Sequence, residues 1–113
     1  MTEASHGTTA DLMAGGWGEL REARWNTARE RFETALAVEE SPEAWEGLSW
    51  AAWWLDDGEA VFAAREAAYR QYRKRSDDAA AARIATWLAV DQLDFRGASA
   101  MANGWLQRAH RLL

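Results

Sequence analysis

With 113 residues, 18 acidic against 13 basic side chains and no cysteine, the chain is expected to form one small domain without disulfides. Its only histidines are His6 and His110, too few donors for a four-ligand zinc site, and neither a metal nor another cofactor is expected. No run of about 18 apolar residues offers a membrane span. The formal net charge of −5 disfavours a nucleic-acid backbone as partner.

Residues 1–8 are polar and are expected to be a disordered tail. They lack the basic start and apolar core of a signal peptide, which makes the cytoplasm the expected compartment. A first helix is predicted from about Ala10 to Ala23. It contains Gly15, Gly16 and Gly18, each costing about 1 kcal/mol relative to alanine in a helix, so the glycines either soften the helix or admit a close neighbour. No strand-like run precedes them, which argues against a phosphate loop. A second helix, Asn26 to Val38, places Ala28, Phe32, Ala35 and Leu36 on one face.

Ser41-Pro42 is a helix start: the hydroxyl can accept from an orphan amide, and proline lacks the donor that its position cannot use. The third helix runs to Leu55 with Ala44, Leu48, Ala51 and Leu55 on one stripe and Trp50, Trp53 and Trp54 on an adjoining arc. A helix so widely apolar needs neighbours on two sides. Asp57 can cap a fourth helix that runs to about Arg75, with Phe62, Arg65, Tyr69 and Tyr72 along one side and the stem of Arg65 laid on the apolar surface. Ser76 is expected to cap a fifth helix carrying Ile84, Trp87 and Leu88 to about Leu93, with Asp77 and Asp78 at its positive end. Arg73, Lys74 and Arg75 oppose the negative end of the preceding helix, which accounts for them without a nucleic acid. After a turn at Arg96-Gly97, Ala98, Met101, Trp105, Ala109 and Leu112 form an apolar stripe on a sixth helix.

Leu20, Trp54 and Leu88 stand 34 residues apart, as do Trp17, Ala51 and Ala85, and Ala14, Leu48 and Ala82. A helical hairpin of about 34 residues that cannot bury its apolar side alone must stack on copies of itself. The predicted fold is therefore all-α, a tetratricopeptide-like right-handed array of three antiparallel helix hairpins with about six helices, over residues 9–113. That register puts Trp54 in the core beside Leu20 and Leu88. The eight tryptophans read mainly as packing, with Trp53 as the best candidate for an exposed contact. Charge is unevenly divided: residues 1–57 carry four arginines against twelve carboxylates, and residues 58–113 carry nine basic against six acidic side chains.

Trp25, Ala28, Arg29, Phe32, Glu33, Ala35 and Leu36 resemble the second helix of a tetratricopeptide hairpin. More specifically, Glu46-Gly47-Leu48-Ser49-Trp50-Ala51-Ala52-Trp53-Trp54-Leu55, Ala67-Ala68-Tyr69-Arg70, the Ala80–Ala89 stretch, and Gly104-Trp105-Leu106-Gln107-Arg108-Ala109 resemble the tetratricopeptide-like region of actinobacterial LuxR-type transcriptional regulators. The likeness spans roughly residues 12–113. It implies a non-enzymatic regulatory or protein-contact module lying before a DNA-binding domain. The chain has no helix-turn-helix segment and no nucleotide-binding domain, so no direct nucleic-acid binding carries over to its residues.

Trp50, Trp53, Met101, Trp105, Leu112 and Leu113 are the candidate interaction surface, with the apolar end of the sixth helix expected to meet either a following segment or a second copy of the chain. A free-standing adaptor or dimerisation protein is the alternative. A small-molecule sensor, with a pocket between helices one, three and five, is a third. No catalytic residue is predicted: there is no cysteine, His110 lies between arginines on a helix, and the acidic pairs fall at helix junctions where capping explains them.

Overall fold

Side-chain caps set where most helices of the computed structural model begin, and the structure describes residues 8–113. α1 (Thr9–Arg21) starts on Thr8, whose hydroxyl accepts from the Asp11 amide at 3.0 Å. α2 (Trp25–Val38) has no side-chain cap. α3 (Pro42–Trp54) starts on Ser41, which accepts from the Ala44 amide at 3.1 Å. α4 (Gly58–Lys74) and α5 (Asp78–Arg96) start on Asp57 and Asp77, which accept from Ala60 and Ala80 at 3.2 Å. α6 (Ser99–Leu112) again lacks a side-chain cap.

Residues 1–7, and with them His6, lie outside the described residues, so the expected tail is visible only at Thr8. The fifth helix departs from expectation at both ends. Ser76 is not its cap but takes a left-handed backbone (φ 59°), and the helix continues past Leu93 to Arg96. Ala23, Asp56 and Gly97 close α1, α3 and α5 in the same way, with φ of 62°, 58° and 60°. In each of these turns the next amide reaches back into the last helical turn, as from Asp57 to the Ala52 carbonyl at 3.0 Å and from Ala98 to the Gln92 carbonyl at 2.9 Å.

The described residues form six helices and no strands. Each helix packs chiefly on its neighbours in the chain, α1 also touching α3, and the molecule extends 52 × 30 × 20 Å. α1 runs unbroken through its glycines because they admit a neighbour. A Cβ on Gly16 would stand 2.7–2.9 Å from three carbons of the Phe32 ring, and one on Gly47 would collide with the same ring. Phe32 is thus fully buried between α1 and α3, with the Trp17 ring edge-on at 5.3 Å. A second cluster joins Phe62 and Tyr72 of α4, Ile84 and Leu88 of α5, and Trp105 of α6 through a bed of alanines.

Three packing expectations are corrected. Trp54 is 52% exposed whereas Leu88 is fully buried, so the 34-residue register does not carry equivalent burial. The Trp54 ring lies at the end of α3 and stacks on Trp25, 4.7 Å away and 5° from parallel. Arg65 is buried to its guanidinium, not by its stem alone. The stripe on α6 faces inward: Trp105 and Ala109 are 9% and 5% exposed, while Met101 and Leu113 stand out at 54% and 90%. No helix of the described residues is long and apolar enough to cross a membrane.

Candidate functional site

Five tryptophans from three helices form a row of ring contacts, one stacked and three edge on face. Trp25 at the start of α2 stacks on Trp54, Trp54 meets Trp53 at 5.0 Å and 84°, Trp53 meets Trp50 at 6.0 Å and 64°, and Trp50 meets Trp87 of α5 at 4.8 Å and 79°. The perpendicular contacts set positive ring edges on negative ring faces, the arrangement aromatic quadrupoles favour. Trp54 is exposed and the other four are half-buried, so the row is part of the surface.

Beneath it lies a charged group. The Arg65 guanidinium sits 4.5 Å from the Trp50 ring centre and 5.4 Å from that of Trp87. Its Nε donates to the Ser49 hydroxyl at 3.2 Å and its Nη1 to Asp91 Oδ2 at 2.8 Å, with both charged side chains fully buried. Arg65 Nη2, Asp91 Oδ1, both amide atoms of Gln92 and the Trp53 indole nitrogen are also buried but have no hydrogen-bond partner among the described residues. Burial pushes the Asp91 carboxyl up to about 6, the Arg65 charge pulling it back only in part, and burial pushes Arg65 down.

A second polar knot ties α3 to α4 and α5. The Glu46 carboxylate accepts from the Tyr72 hydroxyl at 2.7 Å and from Arg83 Nε and Nη2 at 3.0 and 2.9 Å. Burial, then the hydrogen bond to Glu46, raises the Tyr72 phenol well above its ordinary range. Arg29 of α2 donates to the Asp57 cap at 2.9 Å, and the Ala60 amide followed by Arg29 holds that carboxylate below its usual value. These groups hold helices together. The His110 imidazole is exposed and makes no hydrogen bond among the described residues, where no three His, Asp or Glu side chains converge to hold a metal.

The six residues singled out from the sequence separate in space. Trp50 and Trp53 lie in the tryptophan row. Trp105 is a correction: its ring packs edge-on against Tyr69 at 5.1 Å in the chain's own core, so it is withdrawn from the surface. Leu112 is half-buried against that core, leaving Met101 and Leu113 as the exposed members on α6. Trp25, Trp54 and Trp87 were missed. Their signal was available only in part, since Trp50, Trp53 and Trp54 share an arc of α3 while Trp25 and Trp87 reach them across helix junctions. Clefts of about 400, 320 and 220 Å³ lie between the α3 start and α4, between α4 and α6, and between α1 and α2. No family model matches the chain, and no match was found among curated proteins or among solved structures.

Proposed function

We propose that the chain is a non-enzymatic interaction module, a tetratricopeptide-like stack of three helical hairpins whose partner protein docks on the tryptophan row. The observation that carries this reading is the row itself: five connected indoles, all at least partly exposed, over a buried guanidinium. Indoles offer large, rigid contact area at small entropic cost and dominate the energetics of many interfaces. The resemblance to LuxR-type regulators supplies a setting, in which this region is the cytoplasmic, protein-contacting part of a transcription factor. The free-standing adaptor remains the second form of the same reading.

The test places a photo-crosslinking amino acid at position 54 in the row and, separately, at exposed Arg70 on α4. In the native host, a discrete protein cross-linked from position 54 and absent from position 70 is expected, and Trp50→Ala should abolish it. Equal labelling from both positions would overturn the reading. A helix-turn-helix encoded beyond codon 113 supports the regulator, and a stop codon there supports the adaptor.

A further inference from the structure

The cleft between α4 and α6 encloses about 320 Å³ and is lined by Tyr69, Arg73, Arg108, Arg111 and Leu112. No carboxylate lines it. Of the twelve arginines, six form ion pairs among the described residues and six do not, and three of those six, Arg73, Arg108 and Arg111, converge on this cleft. Ring contacts order two of them: the Arg108 guanidinium lies 4.4 Å from the Trp105 ring centre, Trp105 meets Tyr69 edge-on, and Arg73 Nη1 donates to the Tyr69 hydroxyl at 3.4 Å. The base of this chain of contacts, Trp105, is buried and fixed.

Arg73 and Arg111 also lie near helix C-termini, and part of their role is to oppose the partial negative charge there. Two helix ends contribute roughly half a negative charge each, which three guanidiniums outweigh. We propose that this cleft binds a phosphate monoester. Such a group carries about two negative charges at neutral pH and three strong acceptor oxygens, and guanidinium forks fit it with paired hydrogen bonds. A single carboxylate would leave most of those donors unused. The site lies apart from the tryptophan row, and either can fail without the other.

Calorimetric titration at constant ionic strength tests it, using a phosphoserine peptide with neutral flanks, its unphosphorylated twin, and inorganic phosphate. Binding of a phosphate-bearing probe but not of the twin is expected. Arg73→Gln, Arg108→Gln and Arg111→Gln should each weaken it about tenfold or more, the loss expected for a charge-assisted hydrogen bond. Arg70→Gln, also exposed on α4, should leave it within about twofold. Because all four arginines are exposed, the variants should stay folded, their melting curves shifted only slightly by the lost ring contact or helix-end charge. Equal affinity for inorganic phosphate and the peptide assigns a free phosphate compound, and tighter binding of the peptide assigns a phosphorylated partner. Silence with both phosphate probes, equal binding of the twin, or equal loss in Arg70→Gln overturns the proposal.

Discussion

The seam between α2 and α3 and the seam between α4 and α5 solve the same packing problem with opposite chemistry. In the first, one phenyl ring enters a notch made by two glycines and packs among apolar side chains. In the second, an arginine and an aspartate are withdrawn from water together, with a serine below and two indoles above. The apolar seam depends on shape alone. The polar seam depends on each charge keeping its partner, and its cover is made of the residues that reach the surface in the tryptophan row.

Removing one charge should therefore have the largest effect. Asp91→Ala leaves the buried Arg65 Nη1 without the acceptor that even a neutral carboxyl provides, and is expected to cost about 3–5 kcal/mol, a large part of the stability of a small domain. The double replacement Arg65→Met with Asp91→Leu should recover most of that loss. Urea unfolding of the three proteins decides it, and a double variant as unstable as the single one would show that volume, not charge, governs this seam.

The polar seam should also respond to pH in a direction the apolar one cannot. The Asp91 carboxyl is raised in the folded state to about 6 from an ordinary 3.8, so the folded protein holds a proton that the unfolded chain releases. Its stabilising contribution is full below about pH 4 and is lost as pH rises through 6. The two-unit shift corresponds to about 3 kcal/mol. The stability of wild type minus that of Asp91→Asn should accordingly fall by up to about that amount between pH 4 and 7. A constant difference would place the carboxylate in a wetter setting, and one that grows with pH would mean that the Arg65 charge outweighs burial.

For the apolar seam, Gly47→Ala drives a methyl group into the Phe32 ring and is expected to cost about 1–3 kcal/mol. Phe32→Leu should relieve part of that clash, so the double-mutant cycle should show a favourable coupling energy. Additive losses would mean that the ring moves aside unaided. The smallest effect concerns the flank of the polar seam. Trp54→Ala removes an exposed ring whose main contact is the stack on Trp25, worth about 1 kcal/mol, and the melting temperature should drop only slightly. A collapse of the fold would put Trp54 back among the core residues.

What the sequence disclosed was local. Ser41-Pro42 and Asp57 start helices through bonds that span three residues, and the Ala28, Phe32 and Ala35 face of α2 follows from helical periodicity. The glycines of α1 were ambiguous because the ring that fills their notch lies on another helix. Trp54 was misplaced because equal spacing was equated with equal burial, although an indole cannot occupy the slot that Leu88 fills. Asp91 and Gln92 could have been flagged, since they stand three and four residues beyond Leu88 on a face that also carries Phe95. Arg65, the partner of Asp91, is 26 residues away from it, and only the folded chain brings the two together.

Because packing joins helices that follow one another in the chain, little of the fold waits for distant segments to meet. Loop closure is short, contact order is low, and folding should be fast for a domain of this size. Opening should likewise begin at α6, which packs chiefly on α5 alone, whereas α1 is held by both α2 and α3. Amide exchange would then grade inward, slowest around Ser49, Arg65 and Leu88, where three helices hold one another closed.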